Sequence, residues 1–257
     1  ALVYNAVGEL CWGRFLWLAR PLRPGQRRYR MEINILYEDN HLLVAVKPPG
    51  VPAQADSGCA GDFLSMLKAY IKDKYQKPGN VYLGLVHRLD RNAGGVMVFA
   101  RTSKAASRLS DQIRRRLASK TYLAVVNGCP ENRQGHLVHY LLKDRVNNRV
   151  SVVEADTPGA REAVLDYEVL DSREGLSLVK VELETGRAHQ IRVQMAELGN
   201  PLFGDVKYRG LGEKNRNDLA LWSWRMEVEH PVKKERMVFT APPPGSHPWN
   251  LFRIPSE

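Results

Sequence analysis

Cysteine is scarce in this chain. There are three in 257 residues, at Cys11, Cys59 and Cys129. They are odd in number, far apart and form no CxxC, which argues against a disulfide framework or a zinc ribbon and fits a reducing, cytoplasmic setting. No run of eighteen apolar residues occurs, so no membrane-spanning helix is expected. Repeats and low-complexity blocks are missing after residue 31, which excludes a solenoid. GxSxG and paired-carboxylate spacings are also missing, so a hydrolase built on Asp90 with His87 or His189 has little support.

Acidic residues are outnumbered, 28 against 38 Lys and Arg, for a formal charge of +10. That balance favours an anionic partner, nucleic acid before an acidic membrane. The charge is uneven. Residues 1–30 hold six arginines and one glutamate and so supply +5 of the total. The body of the chain is only mildly basic, and an ordinary globular surface explains that nearly as well as RNA binding does.

Residues 1–30 read as a basic leader, distinct from a domain over 31–257. LCWGRFLWLA is apolar but broken by Arg14, and RPLRPGQRRYR follows it. A secretory signal would carry its positive charge before the apolar stretch. Two readings stay open: an upstream extension before a natural start at Met31, which is preferred, or an organellar transit peptide.

From Met31 the pattern is rich in strands. INILYED and HLLVAVKPPG form a pair joined at Asp39-Asn40. Asp62 caps a helix through about Tyr75. LGLVHRLD approaches a core strand, VMVFA, after which Thr102 or Ser103 caps the amphipathic SKAASRLSDQIRRR. KTYLAVVNG, GHLVHYLL, RVSVVEA, AVLDYEVL and LSLVKVELE follow at antiparallel spacing. A helix from about Ala188 to Leu198 stops at Gly199-Asn200-Pro201. WSWRMEVEH and ERMVFTAPPP complete the strands. The expected fold is α+β: a mixed, mainly antiparallel sheet with flanking helices and a central cleft.

Three places could carry chemistry. HRLDRNAGG sets Asp90 between Arg88 and Arg91 at the mouth of a core strand. A turn aspartate paired with arginine is the plain reading, and Gly94-Gly95 leaves room for close approach. ETGRAHQIRVQ puts Arg187, His189, Gln190 and Arg192 in the first turns of a helix, where the dipole disfavours cations. A buried acid would justify them, and Asp90 is the obvious partner. KTYLAVV puts Tyr122 near a strand start, as core or as a flat ring for a base. Arg115, within Arg114–Arg116, is either a helix-end cation or part of a phosphate-contacting patch. His136 and His139 form an HxxH with no third ligand at metal-site spacing, so no metal is expected.

Taken in order, these motifs resemble the RluA-type pseudouridine synthases. HRLD before a small pair and Gly is similar to the family signature. NHLLVAVKPPGVPAQ resembles its opening "KPxG" turn, SKTYLAVVNG its tyrosine motif, and TGRAHQIRVQMAELGNPLFGDVKYRG its "TGRxHQIRxHxxxxGxPixGDxxYG" block. EHPV and APPP resemble its C-terminal end. The likeness spans about residues 33 to 243. It departs at Ala93-Gly94, where Thr-Ser is frequent, at Gln194 in place of a His, and at LALWSW, which lacks a His. The thirty residues before Met31 are too few for the S4-type RNA-binding domain that some members carry.

The resemblance implies an isomerase that breaks the N1–C1′ bond of a uridine in RNA, turns the uracil and joins C5 to C1′. Asp90 matches the catalytic aspartate, Arg192 the basic residue that pairs with it, and Tyr122 the ring on the uracil face. Arg88 matches an arginine that fills the space left by the extruded uridine; extrusion costs a few kcal/mol. His87, Arg187 and Gln190 stand beside them as substrate-side candidates, with a scaffold role preferred. No cofactor is implied. Ribosomal or transfer RNA is the expected partner, and a monomer the expected state. A non-catalytic RNA-binding protein on this fold is the alternative, although binding alone has no use for an aspartate beside phosphates.

Overall fold

The strand VMVFA is apolar on both faces, and helices cover both. In the computed structural model, which describes residues 32–54, 61–208 and 219–256 and the backbone of a strand at Gly13–Leu16, every residue of β5 (Gly94–Ala100) is buried. Helix α1 (Phe63–Lys74) packs Phe63, Leu67 and Ile71 on the face holding Met97 and Phe99. Helix α2 (Ser103–Arg114) packs Ala105 and Leu109 on the face holding Val96, Val98 and Ala100. Both N-caps are those expected. Asp62 accepts the Ser65 N–H at 2.8 Å and Thr102 the Ala105 N–H at 3.1 Å, each worth about 1 kcal/mol.

The remaining strands are β1 (Gly13–Leu16), β2 (Glu32–Glu38), β3 (Leu42–Lys47), β4 (Gly84–Leu85), β6 (Ser119–Asn127), β7 (Gln134–Asp144), β8 (Arg149–Val153), β9 (Arg161–Arg173), β10 (Leu176–Leu183), β11 (Leu221–Glu229) and β12 (Arg236–Thr240). They form one sheet in the order β1-β2-β3-β5-β11-β6-β10-β9-β7-β8, with β12 on β11 and β4 on β5. Among the described pairs only β5–β11 is parallel. The α+β expectation therefore holds. Apart from β1, the basic leader lies outside the described residues, as do Cys11 and Cys59. No described helix is long and apolar enough to cross a membrane.

Three local expectations are corrected. LGLV, read as a strand leading into HRLD, is strand only at Gly84–Leu85. Beyond that, the His87 ring takes over the ladder, its Nε2 accepting the Val98 N–H at 2.9 Å. Helix α3 (Gln190–Glu197) starts at Gln190 and not at Ala188, so Arg187 and His189 precede it. The Gln190 Oε1 accepts the Thr185 hydroxyl at 2.8 Å and the Arg187 N–H at 2.9 Å, which holds the preceding residues as a loop. His189 itself is left-handed, at φ 52°.

The third correction concerns Gly94 and Gly95. They do not hold a gap open for a ligand. A Cβ on Gly94 would stand 2.2 Å from the Trp222 ring, and one on Gly95 2.2 Å from the Ser223 carbonyl oxygen. The glycines let β5 and β11 touch, and that contact sets the turn carrying Asp90 beside the middle of the sheet.

Candidate active site

Leu89 is buried and anchors the HRLD segment, so its neighbour Asp90 faces outward into a cleft. The Ala93 N–H closes a turn onto the Asp90 carbonyl at 3.2 Å. Two cations hold this turn to the Pro-Pro-Gly loop after β3. Arg91 Nε donates to the Gly50 carbonyl at 3.0 Å. Lys47, fully buried, donates from Nζ to the carbonyls of Pro48, Val51 and Arg91 at 2.9, 2.7 and 3.0 Å. Burial pushes its pKa down to about 7, against the pull of the Asp90 charge. Lys47→Met would leave three carbonyls without their donor. It should cost on the order of 3 kcal/mol, read as a lower denaturation midpoint at unchanged m-value.

Arg192, on the first turn of α3, meets two acids. Its Nη1 donates to Asp90 Oδ2 at 3.0 Å, while Nε and Nη2 grip Asp205 at 2.7 and 2.8 Å. The Asp205 side chain is fully buried, and its Oδ1 also accepts the N–H groups of Lys207 and Tyr208. Burial alone would lower the Arg192 pKa; the Asp205 bond, and then Asp90, more than offset it, and the pKa is raised. The unfavourable dipole at the start of α3 is met by the same two carboxylates. Asp205 received no role from the sequence, although it stands in the GDVKY part of the quoted block.

Tyr122 lines the same cleft from β6 and is 7% exposed. Burial, and then the Asp90 charge, raises the pKa of its hydroxyl. Leu183, Ile191 and Leu221 add apolar surface, and Arg88, Arg91, Lys120 and Lys143 add cations. The cleft holds about 490 Å³, within the roughly 300–1,000 Å³ of small-ligand sites. A charged pair, a flat ring and apolar walls suit a planar pyrimidine, and exposed cations at the rim suit its phosphates.

The fold thus brings Asp90, Tyr122, Arg88, His87, Arg187 and Gln190 to one cleft, with Arg192 behind Asp90 through their 3.0 Å bond. Their side chains are not all free to meet a ligand. Gln190 is buried, with its Oε1 occupied as above and its Nε2 donating to the Val164 carbonyl at 3.0 Å. His87 spends Nε2 on Val98, and burial, then Lys120, pushes its pKa down to about 4. Arg187 donates to the Glu162 carbonyl at 2.8 Å. Gln190 has both side-chain polar atoms engaged, while His87 and Arg187 each commit one nitrogen to the backbone. Arg115 lies outside the cleft, within 3.6 Å of Asp111 on its own helix. Gln194 is also internal, donating to the carbonyls of Leu137 and Ala163 at 3.1 Å. The HxxH histidines stand on opposite faces of β7. Two other donors do come near His136, Asp166 on β9 and Glu184 just after β10: the three present ligand atoms within 4.8 Å of one another, all on exposed residues.

Residues 41–197 match the family model for RNA pseudouridylate synthase. A Bacillus subtilis protein named as the uncharacterized RNA pseudouridine synthase YhcT is 38% identical over 220 residues, covering 83% of this chain and 70% of that protein. The ribosomal large subunit pseudouridine synthase D of Pseudomonas aeruginosa is 32% identical over 260 residues, covering 91% and 73%. The structure of human RNA Pseudouridylate Synthase Domain Containing 4 superposes with a TM-score of 0.68 at 24% identity, over 82% of this chain and 88% of that one, and shares the fold. The protein is therefore an isomerase acting on RNA. It belongs to the RNA pseudouridine synthases, in the RluA-type family whose motifs it carries.

Proposed function

We propose that this chain converts particular uridines of structured ribosomal or transfer RNA to pseudouridine, with Asp90 as the reacting carboxylate. The observation that carries the reading is the 3.0 Å contact between Asp90 and Arg192 in a cleft that also presents the Tyr122 ring. The guanidinium fixes the carboxylate's orientation without neutralising it by proton transfer, because arginine keeps its proton. An ionised oxygen is what attack or proton abstraction at C1′ needs. Tyr122 supports the turned uracil, and the exposed Arg88 occupies the gap it leaves in the RNA stack. Relatives named for the large ribosomal subunit support ribosomal RNA as a substrate.

The test is to map pseudouridines in ribosomal and transfer RNA from cells with and without the gene, and to restore the missing site with purified protein. An unchanged map would sink the assignment. Tyr122→Phe keeps the ring and should hold turnover within about tenfold. Tyr122→Ala should lose about 1–3 kcal/mol of base stacking, seen as weaker binding of the target RNA. A severe loss in Tyr122→Phe would shift the role from the ring to the hydroxyl.

A further inference from the structure

Tyr208 and His189 form a pair whose hydrogens can be assigned. The Tyr208 oxygen accepts the Val150 N–H at 2.9 Å and lies 2.7 Å from His189 Nδ1. Burial raises the Tyr208 pKa, so the phenol keeps its proton, and among the described residues that proton has one acceptor, His189 Nδ1. Burial lowers the pKa of His189. Asp90 opposes this, while Arg192, Lys207 and Lys143 add to it. The ring is thus neutral, accepts at Nδ1 and carries its hydrogen on Nε2. Among the described residues Nε2 has no hydrogen-bond partner. His189 lines the cleft with Asp90 and Tyr122, from a left-handed backbone at φ 52° that side chains other than glycine rarely adopt. Tyr208 is held in turn: its N–H bonds Asp205 at 3.2 Å, and the Arg192 guanidinium lies 5.1 Å from its ring centre. The acid that clamps Arg192 therefore also anchors the partner of His189.

We propose that His189 reads the base: its Nε2–H donates to a carbonyl oxygen of the uracil turned into the cleft, and Tyr208 is the positioning residue that sets the donor. This rests on the reading of the cleft as a pseudouridine synthase site. A neutral N–H has little pull on a phosphate, for which the cations Arg88, Arg91 and Lys143 are better suited. Uracil offers two carbonyl acceptors at its edge. A donor sealed under the base without an acceptor would be left desolvated, so a base lacking one at that point is disfavoured.

The test compares the wild type with His189→Gly, which keeps the left-handed backbone accessible. Both act in single turnover on RNA carrying uridine, 2-thiouridine or 4-thiouridine at the modified position. Sulfur accepts hydrogen bonds poorly. One of the two thio substitutions should slow the wild type about tenfold and His189→Gly by no more than about twofold. Tyr208→Phe should fall between them. If His189→Gly does not fold by circular dichroism, His189→Asn, also tolerant of this backbone, takes its place. Thio penalties as large in the variant as in the wild type would overturn the inference. A wild type that forms no pseudouridine from ordinary uridine in any RNA tested would instead overturn the functional reading beneath it.

Discussion

Asp90→Asn is expected to fold normally and to form no measurable pseudouridine. The amide keeps the size of the carboxylate, and its oxygen can still accept from Arg192 Nη1, now at 3.0 Å from Asp90 Oδ2. Arg192 keeps both bonds to Asp205, so the buried guanidinium is not stranded. Stability should therefore change by no more than about 1 kcal/mol. Chemistry should not survive, because an amide can neither attack C1′ nor take a proton there. Loss of a group that reacts directly is on the order of 10⁴-fold or more. Purified variant and wild type, given the same target RNA, decide the matter by pseudouridine formed per enzyme. Turnover within about tenfold of wild type would remove Asp90 from the chemistry.

Arg192→Met should damage both stability and rate, for separable reasons. It breaks the contact to Asp90 and also strands Asp205, whose side chain is fully buried and would keep only two backbone N–H partners. Breaking a buried pair by removing one partner costs about 3–5 kcal/mol. The rate should fall at least about 10²-fold, as expected when a reacting group loses its orientation. Arg192→Lys will not rescue it, because one ammonium cannot present the fork that holds two acids at once. The double variant Arg192→Met/Asp205→Asn separates the effects. With the stranded charge gone, the denaturation midpoint should recover much of its loss while activity stays absent. Recovery of activity along with stability would mean that Arg192 serves the fold alone.

Much of the architecture was legible in the sequence. The caps at Asp62 and Thr102, the doubly apolar β5 and the stop at Gly199 are local signals, read from side-chain period and from which atoms can reach the next backbone N–H. The start of α3 was misread because Gln190 bonds backward to Thr185 and Arg187, a competition that periodicity does not register. His87 and Gln190 were substrate-side candidates with a scaffold role preferred; Gln190 spends both side-chain polar atoms on the backbone and Thr185, and His87 spends Nε2 on Val98. Lys47 and Asp205 were quoted within motifs and given no role. A lysine after an apolar strand looks like a surface residue until three carbonyls are seen to converge on it. Arg115 could not be placed at all, since the side of α2 that faces RNA depends on where the cleft opens.

By itself, then, the sequence determined the elements, the α+β class and the three residues on which a catalytic reading depends. Tertiary structure decided the rest. Asp90 and Arg192 are separated by 102 residues, and no local rule spans that distance. Among the described strand pairs, the one parallel contact, β5 with β11, made possible by two glycines with no room for a side chain, sets the aspartate turn near the tyrosine strand that flanks β11, and the Arg192 bond to Asp90 ties the arginine helix to them. Which polar groups are left free there is a matter of what burial and hydrogen bonding have already consumed.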